Sequence, residues 1–206
     1  MKIILNYIGQ LRLYSLVDLV LLLYVLKVAP YQFIGIIFLH VAFLAYLEDK
    51  HAHSYRLKIP SIIYYLFGIT GLVFFGKIEG LLYVICSYFY TLKTKNLGLL
   101  SPFLRGSQNF FITAAILGYS SSTPYLVGLV FFVRNLAGDF RDIEKDKKEN
   151  IRTIPIILEI KKNFNYIHLI TITLSSIVWW SLSAISVSWL ILVILIEISS
   201  YNLTPR

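Results

Sequence analysis

Eight long apolar stretches, separated by short charged segments, constrain this chain more than any other feature of its sequence. They lie at about 13–29, 31–47, 59–76, 78–92, 103–119, 123–138, 164–181 and 184–201. Most approach the roughly 17–25 residues that a helix needs to cross a bilayer. None shows the alternation of a transmembrane β-strand, and helices are the other way to satisfy the backbone in lipid. The sequence therefore predicts an all-α, multi-pass transmembrane bundle of about eight spans, as a single domain over residues 1–206.

The composition and the distribution of basic residues support a membrane location. The chain is 57% hydrophobic and only 15% charged, whereas about a quarter of the residues in a soluble domain are charged. Its net charge of +8 is typical of cytoplasmic loops that face anionic lipid, so we expect no nucleic-acid partner. With a cytoplasmic N-terminus, every Lys and Arg except Lys27 and Lys77 falls on the cytoplasmic side. This distribution predicts a cell-membrane protein with both termini in the cytoplasm.

The second acidic segment, residues 134–155, reads RNLAGDFRDIEKDKKENIRTIP. It places Asp139, Asp142 and Asp146 at spacings that stack side chains on one face of a helix. Three carboxylates on one face repel one another, and Mg²⁺, which is often held by one or two carboxylates plus substrate phosphates, would compensate them. The segment therefore predicts a metal–diphosphate site at a membrane surface. A solvated mixed-charge loop is the alternative, because basic residues lie among the acids: Arg141, Lys145, Lys147 and Lys148.

The first acidic segment, residues 48–61, reads EDKHAHSYRLKIPS and follows the second apolar run. Its residues Asp49, His53, Arg56 and Pro60 weakly repeat the pattern of Asp142, Asp146, Arg152 and Pro155. Two four-helix halves, each with an acidic motif on its second helix, would bring the motifs face to face across a central cavity. Chance similarity between two charged loops is the alternative. Carboxylates at the mouth of a span are functional candidates, so Asp49 and Glu48 join the three aspartates.

Several other polar residues in this apolar chain are also candidates for function. Arg134 lies five residues before Asp139, so it would reach that cluster or a phosphate oxygen, or else extend to water from a helix end. Lys93 and Arg105 would neutralise a leaving diphosphate or simply determine topology. Asp18 and Glu197 lie within apolar runs, where they either face inward and pair or show that the spans are drawn wrongly. The 15 Tyr and 14 Phe residues suit a cavity that shields a carbocation.

The second acidic segment resembles the second aspartate-rich motif of the UbiA superfamily of intramembrane prenyltransferases. That motif has a D-x-x-D-x-x-x-D core, here Asp139, Asp142 and Asp146, and a tail R/K-T-L-P-I, here residues 152–156. The arginine before the core is similar to the archaeal branch, and YTLKTK, with Lys93, is similar to the Y-x-x-x-K segment of the family. The first acidic segment departs from the N-D-x-x-D-x-x-x-D motif of the family, since the aligned positions hold Ala45, Tyr46, Asp49 and His53.

The resemblance implies transfer of a prenyl group from an isoprenoid diphosphate to a lipophilic acceptor, in a cavity that opens to the cytoplasm. The acceptor would be a quinone precursor or a glycerol-phosphate lipid. It also implies that Mg²⁺ is the cofactor. The implied metal ligands and catalytic residues are Asp49, Asp139, Asp142 and Asp146. The implied diphosphate-binding residues are Lys93, Arg56, Arg134 and Arg152.

Two other functions remain alternatives because the first motif is altered. One is a catalytically degenerate relative that binds isoprenoid lipid or acts as a partner subunit. The other is a small transporter or channel subunit, which would explain intramembrane charges but not three aspartates followed by RTIP. The D-G-x-x-A-R signature of the CDP-alcohol phosphotransferases, which also use aspartates with Mg²⁺, is absent from the sequence.

Overall fold

A computed structural model describes residues 12–50, 58–92 and 97–204. Within these ranges the chain forms ten α-helices and no strand, which confirms the predicted all-α class. The eight long helices are α1 (Leu13–Val25), α2 (Pro30–Lys50), α3 (Ser61–Phe75), α4 (Ile78–Thr91), α5 (Ser101–Leu117), α6 (Thr123–Arg141), α9 (Ile167–Ser181) and α10 (Val187–Leu203). Two short helices, α7 (Ile143–Lys148) and α8 (Ile154–Ile157), follow α6, and a 3₁₀ turn (Gly98–Leu100) precedes α5.

The eight long helices coincide with the eight apolar runs, and no helix end differs from the corresponding run by more than four residues. Among the described residues, α2 is the one helix whose length and composition suffice to cross a membrane. Five shorter apolar helices accompany it, namely α1, α3, α4, α9 and α10. Some ends are fixed by glycine: α3 stops at Gly76, whose φ of 65° lies in the left-handed region that glycine adopts without strain.

The chain packs as two compact units. The first comprises the described residues up to Lys77 and those from Ile172 onward, and the second is Ile78–Thr171. The units therefore do not correspond to the two sequential four-helix halves that the weak repeat suggested. The reason is that α10 and most of α9 pack with the N-terminal helices of the first unit.

Two buried acids join the first and last helices of the first unit. Asp18 on α1 is fully buried and Glu197 on α10 is 1% exposed. The Ser175 hydroxyl lies 3.2 Å from Asp18 Oδ1, and the Ser176 hydroxyl lies 2.7 Å from Glu197 Oε2 and 3.4 Å from Asp18 Oδ1. Both acids thus face inward and contact serines on α9, as the first of the two alternatives expected.

Small residues allow close contact between neighbouring helices in each unit. A Cβ atom added at Gly71 of α3 would lie 2.8 Å from the backbone nitrogen of Leu39 on α2. In the second unit, a Cβ atom at Gly106 of α5 would lie 2.7 Å from the carbonyl oxygen of Gly128 on α6. Such contacts are typical of helices that associate in a membrane, where backbones approach closely across glycine.

Candidate functional site

The backbone of the second acidic segment distributes its three aspartates over two helices. Asp139 lies in the last turn of α6, Asp142 is the residue between α6 and α7, and Asp146 lies on α7. The Asp142 nitrogen donates to the Gly138 carbonyl at 3.0 Å, and the Asp142 carbonyl accepts from the Asp146 nitrogen at 2.8 Å. Helical hydrogen bonds thus continue on both sides of Asp142. The expected single helix is interrupted there because Asp142 has non-helical dihedrals, φ −99° and ψ 13°.

Burial separates two acids of this segment, Asp139 and Asp146, from two of its lysines. The exposed fractions of Asp139 and Asp146 are 3% and 2%, whereas Lys147 and Lys148 are exposed. A buried ionised carboxylate is costly unless it pairs with a cation, accepts hydrogen bonds or coordinates a metal. The mixed-charge loop therefore describes the lysines but not these two acids.

Asp142 has a cation from its own segment as its partner. Its carboxylate accepts from Arg141 Nε at 2.7 Å and also contacts Arg141 Nη2, in the two-point arrangement typical of arginine and carboxylate. The negative charge of Asp142 is therefore compensated by Arg141 in this structure.

A chain of side-chain hydrogen bonds from three helices ends at Asp139. The Tyr90 hydroxyl on α4 donates to Asn135 Oδ1 at 2.8 Å, and Asn135 Nδ2 donates to Ser101 Oγ at 3.0 Å. The Ser101 hydroxyl, at the start of α5, donates to Asp139 Oδ2 at 3.3 Å. Sequence reasoning missed Ser101 and Asn135, although Asn135 lies four residues before Asp139 and thus on the same helix face.

Two arginines approach the same aromatic ring in the second unit. The guanidinium carbon of Arg134 lies 5.0 Å from the centroid of the Phe131 ring, and that of Arg105 lies 5.8 Å from it. Arg134 is 5% exposed, so its side chain does not extend to water from the helix end. Arg105 Nη1 also donates to Gln108 Oε1 at 2.7 Å, which fixes its direction. The geometry places two cations beside one aromatic ring.

The RTIP tail contains an exposed arginine and a buried threonine. Arg152 is exposed, and a Cβ atom at Gly98 would lie 2.7 Å from the Arg152 carbonyl oxygen, so the 3₁₀ turn packs closely on this backbone. Thr153 is fully buried, and its hydroxyl has no hydrogen-bond partner within the described part of the chain. Buried polar groups usually have partners, so this hydroxyl is a candidate contact for a ligand oxygen.

The acids of the first acidic segment contact cations and a tyrosine. Glu48 is 2% exposed, and its Oε1 lies 3.0 Å from Arg12 Nε. Asp49 Oδ2 lies 3.9 Å from Lys50 Nζ and accepts from the Tyr64 hydroxyl at 3.5 Å. Three other candidates, His53, Arg56 and Lys93, lie outside the described residues.

A cavity of about 610 Å³ lies in the first unit, where the α1–α2 and α9–α10 connections meet. Apolar residues such as Leu23 and Phe33 line it together with Lys27. Because Lys27 follows the C-terminus of α1 and Arg12 precedes its N-terminus, the cavity is remote from the first acidic segment. The predicted central cavity between the two acidic motifs stays a prediction.

The donor set of the second acidic segment fits Mg²⁺ with a diphosphate. No group of three or more His, Cys, Asp or Glu side chains capable of holding a metal occurs in residues 12–50, 58–92 and 97–204. Mg²⁺ does not require such a group, because it commonly takes one or two carboxylates and completes its shell with water and substrate phosphates. Asp139 and Asp146 supply carboxylate oxygens in a buried position of the second unit.

Comparison with known families identifies the family to which the chain belongs. The model of the UbiA prenyltransferase family matches residues 59–201, which is more than half of the 206 residues. The chain belongs to the UbiA prenyltransferase family. Members are integral membrane proteins, and membership implies prenyl transfer from an isoprenoid diphosphate. No curated protein and no solved structure matches the chain. The UbiA match includes the whole second acidic segment and begins ten residues after Asp49 (59 − 49 = 10).

Proposed function

We propose that this UbiA-family protein is a Mg²⁺-dependent prenyltransferase. It transfers a prenyl group from an isoprenoid diphosphate to a lipophilic acceptor, which is a quinone precursor or a glycerol-phosphate lipid. The observation that carries this proposal is the pair of buried carboxylates, Asp139 and Asp146, within the family match. In this proposal the long helices form the predicted multi-pass bundle in the cell membrane, and the site opens to the cytoplasm, where the positive-inside rule predicts the second acidic segment to lie.

In the second unit, aspartates would hold the metal and arginines would contact or neutralise the diphosphate. Asp139, Asp142 and Asp146 would hold Mg²⁺, which supplies charge neutralisation to the diphosphate when bound. Asp142 would exchange its partner Arg141 for the metal, and Arg141 would then be available to the phosphate oxygens. Arg134 and Arg105 add positive charge beside Phe131. Asp49, Arg56, Lys93 and Arg152 stay predicted members of the site.

The reaction follows from this charge distribution. The bond between the first carbon of the prenyl chain and the diphosphate oxygen breaks, and its electron pair leaves with the diphosphate. Fixed cations stabilise the negative charge that develops on the leaving group. The allylic cation then accepts an electron pair from the acceptor, which releases a proton. Burial of the acids in the second unit favours exclusion of water, which would otherwise capture the cation.

A transfer assay with purified protein tests this proposal. We expect radiolabelled geranylgeranyl diphosphate and a pooled membrane-lipid extract to give a prenylated lipid that requires Mg²⁺. Replacement Asp142→Ala should abolish the product while the protein stays folded in detergent. Glu144→Ala is the matched control, because Glu144 is an exposed acid two residues after Asp142, on α7. Unchanged turnover in Asp142→Ala would contradict the assignment of that residue.

The second candidate is a catalytically degenerate relative that binds isoprenoid lipid or acts as a partner subunit. The altered first motif favours it: Ala45 and Tyr46 occupy positions where the family motif has polar residues, and the Tyr46 ring packs edge-on against Tyr64 at 5.2 Å. Mg²⁺-dependent binding of a prenyl diphosphate without any product, with shorter and longer donors included, would favour this candidate over the enzyme.

A further inference from the structure

We propose that Ser101 and Asn135 are positioning residues that fix the orientation of the Asp139 carboxylate for the metal. This proposal rests on the proposed function, because it assigns a role toward the same metal–diphosphate site. It stands on the hydrogen-bond chain from Tyr90 through Asn135 and Ser101 to Asp139.

The chain has one direction, and the chemistry of its ends fixes that direction. An ionised carboxylate only accepts hydrogen bonds, so the Ser101 hydroxyl must donate to Asp139. The Ser101 oxygen can then accept, and the group that faces it is the amide nitrogen of Asn135, which only donates. The amide oxygen of Asn135 in turn accepts from the Tyr90 hydroxyl. Each group therefore orients the next one toward the acid.

Asn135 is required because a serine hydroxyl can rotate about its C–O bond. By occupying a lone pair of Ser101 Oγ, the Asn135 amide leaves the hydroxyl proton to point at Asp139 Oδ2. Ser101 is 1% exposed, so water does not compete freely for this proton. The contact sets the rotation of the carboxylate plane and thus the direction of the oxygen lone pairs that a cation would meet.

Residues that orient a metal ligand usually affect metal affinity by about 10–100-fold when they are replaced. The test is the midpoint of thermal unfolding of the full chain in detergent, titrated with Mg²⁺ in the presence of inorganic pyrophosphate. Stabilisation by a bound ligand reports its affinity without any turnover. We expect Ser101→Ala to raise the half-saturating Mg²⁺ concentration at least about tenfold, and Ser101→Thr, which retains the hydroxyl, to restore the wild-type value.

Asn135→Asp distinguishes the loss of the amide donor to Ser101 from the effect of an added negative charge. The variant keeps an acceptor for Tyr90 and nearly the same shape, but its carboxylate cannot donate to Ser101. Added negative charge alone would strengthen cation binding, so a weaker response to Mg²⁺ would isolate the loss of the donor. Thr113→Val is the matched control, because the buried Thr113 hydroxyl in the same unit donates to the backbone oxygen of Asn109.

The outcomes distinguish this proposal from the proposed function. Weaker Mg²⁺ dependence in Ser101→Ala and Asn135→Asp, with Ser101→Thr and Thr113→Val unchanged, is the expected result. A wild-type response in Ser101→Ala or in Asn135→Asp overturns the positioning role while the site itself stands. If Ser101→Ala does not fold, the contrast between Ser101→Thr and Asn135→Asp decides. Absence of any Mg²⁺ response in the wild type overturns the proposed function and the positioning role together.

Discussion

The two acidic segments of this protein have similar sequences but different partners in the structure. In the first segment, Glu48 contacts the guanidinium of Arg12, and Asp49 lies near the ammonium of Lys50. In the second segment, Asp139 accepts from the neutral hydroxyl of Ser101 and, like Asp146, is almost completely buried. The UbiA family match includes the second segment but begins after the acids of the first.

This comparison teaches that similar acidic sequences can have different hydrogen-bond surroundings in the folded chain. Glu48 and Asp142 each contact a guanidinium, so an arginine contact by itself does not separate the two segments. Asp139 differs in that it lies at one end of a hydrogen-bond chain through Ser101 and Asn135 to Tyr90 on another helix. Because the family match also includes the second segment, we propose the metal site for the second segment and a mainly structural role for Glu48.

The largest effect is expected from Asp146→Asn. The variant keeps the size of the side chain and removes its charge, so the site loses a direct metal ligand. Turnover of geranylgeranyl diphosphate to prenylated lipid should fall more than about 100-fold, beyond the loss typical of residues that only support a ligand. Steady-state kinetics at saturating Mg²⁺ measures this. Full activity would remove the distinction between the two segments.

The next effect concerns the ion pair of the first segment. Arg12→Gln leaves the charge of Glu48 buried. Removing one partner of a buried ion pair typically lowers the free energy of unfolding by about 3–5 kcal/mol. Because the Arg12 side chain is 24% exposed, we expect a smaller loss of about 2 kcal/mol. The unfolding midpoint in detergent should fall, and Arg12→Gln combined with Glu48→Gln should recover part of the loss. Turnover per folded molecule should stay near wild type in Glu48→Gln; a loss like that of Asp146→Asn would contradict the structural role.

A smaller effect is expected where α3 packs on α2, the helix that bears the first segment. Gly71→Ala would place a methyl group 2.8 Å from the backbone nitrogen of Leu39, which cannot rotate away, so we expect a loss of about 1 kcal/mol. Gly68→Ala is the control, because its nearest neighbour is the Ala42 methyl at 3.8 Å. Thermal unfolding should show the difference, whereas the Mg²⁺ response of the second segment should be equal in both variants.

The smallest effect is expected from Lys50→Gln. The Lys50 ammonium is 51% exposed and lies 3.9 Å from Asp49, and such surface pairs usually contribute about 0–1 kcal/mol. Stability and turnover should both stay close to wild type. A large fall in turnover would show that the first segment uses this cation at the site.

Sequence reasoning located the eight long helices because the backbone of a long apolar run must satisfy its hydrogen bonds internally in lipid, which favours a helix. It also located the second acidic segment, since three aspartates and RTIP lie within 17 residues of one another (139 to 155). It gave the wrong grouping of helices, because the contacts of Asp18 with Ser175 and Ser176 join residues 157 and 158 positions apart. No local pattern indicates which distant serine an intramembrane acid will meet.

The finer geometry of the site lay beyond the sequence for the same reason. Ser101 reaches Asp139 across 38 residues, and Arg12 reaches Glu48 across 36. Both contacts depend on how two helices rotate and slide against each other. The sequence indicated that Asp139, Asp142 and Asp146 share a face, but not that the helix would be interrupted at Asp142 where Arg141 contacts it.

Metal-directed cleavage of the backbone tests the central claim most directly. Fe²⁺ replaces Mg²⁺ at many oxygen sites. Bound Fe²⁺ reduces added hydrogen peroxide to hydroxyl radicals that cut nearby peptide bonds, and ascorbate regenerates Fe²⁺ from Fe³⁺. With pyrophosphate present, the account predicts cuts at residues 139–146 that disappear as Mg²⁺ is added. Absence of cuts at residues 139–146, or cuts there that persist at high Mg²⁺, would contradict the proposal that the second acidic segment holds the metal.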